Sequence, residues 1–245
     1  MTQPRAAIVT GAASGIGAAT VTELAARGYR VAGIDCNGPG VRAIVAAAGA
    51  QHFAFELDVA DETVIVAAFA DAVKALGGLD TLVTSAGVAE MTPFMELDAA
   101  TFRRVYDHNV VGTFLCIREA AKHMAPGGRI CTVASVAGLR GGGLSGTAAY
   151  AASKGAVLAL TKNAARALAD KGIAVNTIAP GATMTPMIAH VFANEAHRQR
   201  VELMSVMNRA AMPAEIARAI AFLVSPEASY IDGATLVADG GLCMY

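Results

Sequence analysis

Short apolar runs recur along this chain, separated by longer stretches whose apolar positions fall at helical spacing. Runs near residues 5–10, 29–35, 52–57, 79–84, 129–134, 173–178 and 234–238 predict seven strands, and the stretches between them predict helices. The runs are nearly continuous in apolar character, as expected of strands covered on both faces. The expected architecture is therefore α/β: a doubly wound, seven-stranded parallel sheet with helices on both faces. No Pro/Ser-rich linker or charge run divides the 245 residues, so 1–245 reads as one domain. Right-handed crossovers should bring the C-terminal ends of the first, fourth, fifth and sixth strands to one edge.

The first strand leads into Thr10-Gly11-Ala12-Ala13-Ser14-Gly15-Ile16-Gly17 and then a helix-forming stretch from Ala18 to Arg27. Strand, glycine turn and helix together point to a dinucleotide site, because glycines let the backbone approach a pyrophosphate and the helix N-terminus offers it unpaired N–H groups. The second strand closes on Asp35, eighteen residues after Gly17. A carboxylate there can accept hydrogen bonds from the adenosine ribose hydroxyls and would repel a 2′-phosphate, which favours NAD over NADP.

Tyr150 and Lys154 stand four residues apart with no helix breaker between them, so a helix places both on one face. Bringing a phenol from its free pKa of about 10 to about 7 takes roughly 4 kcal/mol, and one positive charge ~4 Å away at an effective dielectric of ~20 supplies about that much. Lysine beside tyrosine therefore suggests an acid/base pair for moving a proton to or from a carbinol oxygen.

With these elements in place, the chain resembles the short-chain dehydrogenase/reductase family in its short, single-domain form, from Arg5 to Leu242. The resemblance rests on the glycine turn, Leu57-Asp58-Val59, Ala86-Gly87, Asn109, Ser135, the Tyr150/Lys154 pair, Pro180-Gly181 with Thr185-Pro186-Met187, and Asp239-Gly240-Gly241. It implies a Rossmann-type fold, a homotetramer, and a catalytic tetrad of Asn109, Ser135, Tyr150 and Lys154. It further implies that NAD is held by Gly11, Ser14, Ile16, Gly17, Asp35, Asp58, Val59, Ala86, Gly87, Tyr150, Lys154, Pro180, Gly181, Thr183 and Thr185. In this scheme Tyr150 moves the proton and Ser135 fixes the substrate oxygen. Lys154 lowers the tyrosine pKa and binds the nicotinamide ribose, while Asn109 holds a water that links Lys154 to solvent.

Some positions depart from the family pattern. Thr84-Ser85 stands where two asparagines are usual, exchanging amides for hydroxyls of shorter reach. Fourteen residues separate Ser135 from Tyr150, and they include Gly141-Gly142-Gly143, read as a flexible rim to the substrate pocket. Ser14 and Cys36 occupy positions where NADP-dependent members often carry basic residues, in agreement with Asp35. A lid over residues 182–212 is rich in methionine, with Met184, Met187, Met204, Met207 and Met212 beside Ile188, Val191, Phe192, Leu203 and His190, and suits an apolar substrate. Glu90, Met91, Leu139 to Ser145 and Met187 should shape the pocket, and Arg209 should be structural.

Composition narrows the remaining choices. Nineteen basic against 20 acidic side chains give a net charge of −1, with no footprint for nucleic acid or an anionic membrane. No apolar stretch near 20 residues and no signal peptide are read, so a cytoplasmic enzyme is expected. Four dispersed cysteines suggest neither zinc nor disulfides, and His108 reads as a packed or surface residue. The expected activity is NAD-dependent hydride transfer between a small secondary alcohol or ketone and the cofactor. The alternatives are a 3-oxoacyl-carrier-protein reductase activity, disfavoured by the arginine-poor turns at 122–128 and 169–172, and a catalytically idle NAD-binding scaffold.

Overall fold

The computed structural model describes residues 4–142 and 148–244, apart from the side chains of His190 and Val191. Gly143 and Ser145, assigned above to the pocket rim, lie outside the described residues, as do the two lid side chains. Seven strands form one parallel sheet: β1 (Ala6–Thr10), β2 (Arg30–Asp35), β3 (Phe53–Glu56), β4 (Thr81–Thr84), β5 (Arg129–Val133), β6 (Ala174–Pro180) and β7 (Thr235–Ala238). Their order is β3-β2-β1-β4-β5-β6-β7, so the winding reverses between β1 and β4 and opens a crevice at their C-terminal ends. Thr10 pairs with both Ile34 and Thr84, and Thr84 with Thr132, which levels the ends of β2, β1, β4 and β5.

Strand alternation feeds two cores. Ile8, Ile34, Leu82 and Ile130 face one layer, where they meet α3 (Glu62–Leu76), α5 (Gly112–His123) and α7 (Ala148–Leu168) through Phe69, Leu115 and Ala164. Ala7, Val9, Val31 and Val83 face the other, against α1 (Gly15–Ala26), α2 (Gly38–Ala48) and α10 (Pro213–Leu223) through Leu24, Val41 and Ile220. Local chemistry starts several of these helices: Asn37, Asp61 and Asp98 each cap the following helix by accepting a backbone N–H, from Gly40, Thr63 and Thr101. The lid contributes two short helices, α8 (Ala189–Phe192) and α9 (Glu195–Glu202), with Ile188 and Val201 buried together beneath them.

The helix that starts after Asp98 differs from the sequence expectation. It begins as α4 (Ala99–Tyr106), widens into a π-helical turn over Asp107–Val111 in which Gly112 N–H reaches the carbonyl of Asp107, and only then continues as α5. Asn109 sits in the widened turn. The extra residue rotates the segment and points the buried Asn109 amide at the loop after β4.

Two close approaches of main chain set the site's frame. A Cβ on Gly17 would lie 2.0 Å from the Gly11 carbonyl oxygen, so the first turn of α1 seats directly on the loop after β1. A Cβ on Gly138, in the short α6 (Val136–Arg140), would lie 2.5 Å from the Gly155 nitrogen and 2.6 Å from the Lys154 carbonyl carbon. The α6 backbone thus rests on α7 beside Lys154. Gly138→Ala should force these two helices apart, costing roughly 1–3 kcal/mol as an overpacked contact, which lowers Tm by several degrees. Calorimetry should show this together with a fall in turnover; unchanged Tm and turnover would show that the contact does not set the spacing.

Candidate active site

The loops at the C-terminal ends of β1, β2, β4, β5 and β6 enclose a cavity of about 340 Å³. At one end, α1 begins with Ser14, whose extended backbone places it as a cap while its hydroxyl makes no capping hydrogen bond. The helix N-terminus therefore faces the cavity without a side-chain partner, as an anion cradle requires. Gly11 tightens the cradle, since a Cβ there would lie 2.7 Å from the Ala86 nitrogen. Gly11, Ser14, Ile16, Pro180, Gly181, Thr183 and Thr185 all line this region. Gly17 does not; it is buried and packs α1 onto Gly11 instead.

Asp35, the last residue of β2, is pinned through both carboxylate oxygens. Oδ2 accepts Ala13 N–H at 3.0 Å and Oδ1 accepts Asn37 N–H at 2.9 Å. It lines the cavity with its remaining lone pairs available, beside Asp58, Val59 and the exposed Cys36. Burial and the nearby Asp35 and Asp58 charges raise the Cys36 pKa, which keeps the thiol protonated and unreactive at neutral pH. His108 belongs to this end as well: its Nε2 lies 3.3 Å from Asp58 Oδ2 and its Nδ1 bonds the Arg104 carbonyl oxygen at 2.8 Å. The sequence reading of His108 as a packed or surface residue missed this placement, because Asp58 and His108 meet only through the tertiary fold.

At the other end stand Ser135, Tyr150 and Lys154, which line the same cavity with Ala86 and Gly87. Ser135 follows β5 and caps α6, its Oγ accepting Ala137 N–H at 3.1 Å. Lys154 is buried, donates to the Val133 carbonyl at 2.8 Å, and lies over the Tyr150 ring, 5.8 Å from its centroid. Burial is the larger influence on both groups. It raises the Tyr150 pKa, a shift that the Ser135 hydrogen bond opposes, and it pushes Lys154 down to about 8. The direction is thus opposite to the lowering by lysine expected from the sequence.

Asn109 is fully buried and does not line the cavity. Its Oδ1 accepts Val88 N–H at 2.8 Å, while its Nδ2 donates to the Val88 carbonyl and to the Ser153 hydroxyl, both at 2.9 Å. Ser153 in turn donates to the Tyr150 carbonyl at 2.7 Å. The amide thus binds the loop after β4 to the helix that carries Tyr150. Ser153 was passed over in the sequence, although its position inside Tyr150-Ala151-Ala152-Ser153-Lys154 was the available signal.

Hydroxyls at Thr84 and Ser85 do not take over a tying role. The buried Thr84 Oγ1 has no hydrogen-bond partner among the described residues, and the loop is tied instead by Thr10, whose Oγ1 accepts Ala86 N–H at 3.2 Å. In the lid, Met187, Ile188 and Met204 line the cavity, whereas Met184, Met207, Met212 and Leu203 are solvent-exposed away from it. Glu90, Met91 and Leu139 also lie outside the lining. Arg209 forms a paired ion bridge to Glu215, with distances of 2.8 and 2.7 Å, at the start of α10.

The sequence from residue 11 to 243 matches the family model described as Enoyl-(Acyl carrier protein) reductase. Cis-4-hydroxycyclohexanecarboxylate dehydrogenase of Sinomonas cyclohexanicum is 41% identical over 97% of this chain and 96% of its own length. The chain belongs to the short-chain dehydrogenase/reductase family. Within that family it is also 35% identical, over the full length of both chains, to a 3-oxoacyl-(acyl-carrier-protein) reductase of Staphylococcus aureus. Among solved structures, the short-chain dehydrogenase/reductase of Brucella melitensis titled glucose/ribitol dehydrogenase superposes with a TM-score of 0.93 at 32% identity, covering 98% of this chain and 97% of that one. The chain is accordingly an oxidoreductase acting on CH–OH groups with a nicotinamide cofactor. No described helix is long and apolar enough to cross a membrane.

A buried lysine whose folded pKa lies near 8, below the ordinary 10.5, makes a signed prediction. Between those values the unfolded chain holds a proton that the folded protein has shed, so stability rises with pH through that window, and below about 8 the full burial penalty applies. Relative to Lys154→Met, the nucleotide-free protein should gain on the order of 3 kcal/mol across the window. Parallel urea unfolding series at stepped pH measure the difference, and a pH-independent gap between the two proteins would contradict the assignment.

Proposed function

We propose that this short-chain dehydrogenase/reductase interconverts a free, small secondary alcohol and its ketone with NAD as the hydride carrier. The observation that carries the reading is the convergence of Ser135, Tyr150 and Lys154 on one cavity whose far end presents the Asp35 carboxylate. The glycine turn and the α1 N-terminus would hold the pyrophosphate, Asp35 the adenosine ribose, Asp58 and Val59 the adenine, and Lys154 the nicotinamide ribose. When bound, the nicotinamide takes up or delivers the hydride at the carbinol carbon. The chain's own part is to move the proton. Tyr150 donates it to the ketone oxygen, and in the reverse direction takes it from the carbinol, with the charged Lys154 beside it to favour the phenolate form. Ser135 hydrogen-bonds that same oxygen and fixes it against Tyr150. Asn109 acts through Ser153 and Val88 as a positioning residue.

A free substrate suits the surface better than one presented by an acidic carrier protein. The cations in the two flanking turns are already engaged, Lys122 with Glu119 at 2.6 Å and Lys171 with the Ala121 carbonyl at 3.1 Å. The relatives named for a hydroxycyclohexanecarboxylate and for glucose or ribitol support a free cyclic or polyol substrate. A cytoplasmic homotetramer completes the reading; exposed Val111 and Phe114 on the helices of one face, and exposed small residues Ala152 and Ala159 along α7, support assembly through these surfaces.

Tyr150→Phe should reduce kcat by about a hundredfold to ten-thousandfold, the range for losing a positioned acid/base, with a far smaller effect on NADH affinity. Steady-state rates over a panel of secondary alcohols, alongside fluorescence titration with NADH, read both quantities. Retained turnover would remove Tyr150 from the chemistry, and a panel inert with NAD and NADH alike would favour an idle scaffold.

Cofactor choice gives an independent check. With no arginine at 14 or 36 to offset it, the pinned Asp35 carboxylate should favour NAD over NADP by at least about a hundredfold in kcat/KM. Asp35→Ala should narrow that ratio, and equal efficiency of the parent protein with both nucleotides would refute the preference.

A further inference from the structure

The lining supplied by α6, the lid and the C-terminal segment is apolar at Val136, Ala137, Met187, Ile188, Met204 and Leu242. Among these residues stands one guanidinium, Arg140, which lines the same cavity. On α6, Arg140 lies four residues after Val136 and three after Ala137, so all three share the helix face that borders the cavity. Its side chain makes no hydrogen bond or ion pair with any described residue. Asp239, whose charge like that of Arg140 is felt at Cys243, accepts the N–H groups of Gly241 and Cys243, at 2.9 and 2.7 Å, and forms no ion pair with Arg140 among the described residues. The other cation of the inner cavity, Lys154, is buried on the Val133 carbonyl.

We propose that Arg140 recognises a carboxylate on the substrate, so that the enzyme's substrates are hydroxy acids and their oxo acids. This inference rests on the alcohol-oxidising reading above. The planar guanidinium, exposed at the rim of the cavity, suits a carboxylate held by two parallel hydrogen bonds. The spacer follows from the helix. Ser135, which fixes the reacting oxygen, caps the N-terminus of α6, and Arg140 ends it five residues later, a rise of about 7.5 Å. A ring or a short saturated chain between the two groups would run along the apolar residues at this side of the cavity.

The test compares an acid with its neutral amide of the same shape, so each protein serves as its own reference. In the NADH-saturated enzyme, cyclohexanecarboxylate should bind about tenfold to a hundredfold more tightly than cyclohexanecarboxamide, the range for a charge-assisted pair. Arg140→Met should bring that ratio to about one, and Arg140→Lys should restore part of it. The ratio of kcat/KM for 4-hydroxycyclohexanecarboxylate over 4-hydroxycyclohexanecarboxamide should follow the same course through KM. Equal binding of acid and amide by the parent enzyme would overturn the proposal. So would an undiminished ratio in Arg140→Met, or a loss confined to NADH affinity, which would assign the guanidinium to the nucleotide. Acid-selective binding without turnover of any alcohol would keep the carboxylate site and discard the redox reading; turnover of neutral alcohols without acid preference would do the reverse.

Discussion

An ammonium group buried against a main-chain carbonyl organises this molecule. Lys154 donates to Val133 at the end of β5, two residues before Ser135, and thereby fixes the height of α7 relative to the sheet. Burying that charge is unfavourable, as its depressed pKa records, so the surroundings must be close and well ordered for the arrangement to persist. They are. Gly138 lets α6 touch α7 at Lys154 itself, Gly87 brings the loop after β4 to within 3.5 Å of the ammonium measured from its would-be Cβ, and Asn109 locks that loop to α7 through Val88 and Ser153. Strand, loop and helix are thus held in one register around Lys154, with Gly138, Asn109 and Ser153 outside the cavity lining.

Much of the fold was legible in the sequence because the inner parallel strands are covered on both faces and so read as largely apolar runs, with buried polar interruptions such as Asn176 and Thr177 in β6. The seven runs mark the strands to within a few residues, and the common edge of the first, fourth, fifth and sixth strands follows from right-handed crossovers, whereas the strand order comes from the structure. The irregular π-helical turn was invisible, since Asp107 to Val111 has nothing in its composition to distinguish it from an ordinary helix.

The site divides along the same line. Residues that work through local spacing, such as Gly11 with Gly17 or Tyr150 with Lys154, could be picked out from the sequence. Properties that depend on several distant segments could not. The direction of the Tyr150 shift depends on how completely neighbouring elements exclude water, and the pairing of His108 with Asp58 joins residues fifty positions apart. Thr84 shows the opposite error: a hydroxyl capable of hydrogen bonding sits buried without a partner among the described residues, while Thr10 on the adjacent strand does the tying. In the lid, composition identified an apolar segment but could not say that, of its five methionines, Met187 and Met204 would border the cavity, Met187 while still exposed.

The short helix α6 is capped at one end by Ser135 and closed at the other by Gly141 in the left-handed conformation. With the roles proposed for Ser135 and Arg140, it is a rod with chemistry at its foot and a replaceable head. Changes at the head alter what the far side of the pocket accepts without disturbing the foot, which Gly138 keeps anchored on α7. Selection, natural or in the laboratory, can therefore explore new substrates at the head of the rod by single substitutions while the proton-transfer geometry is inherited intact.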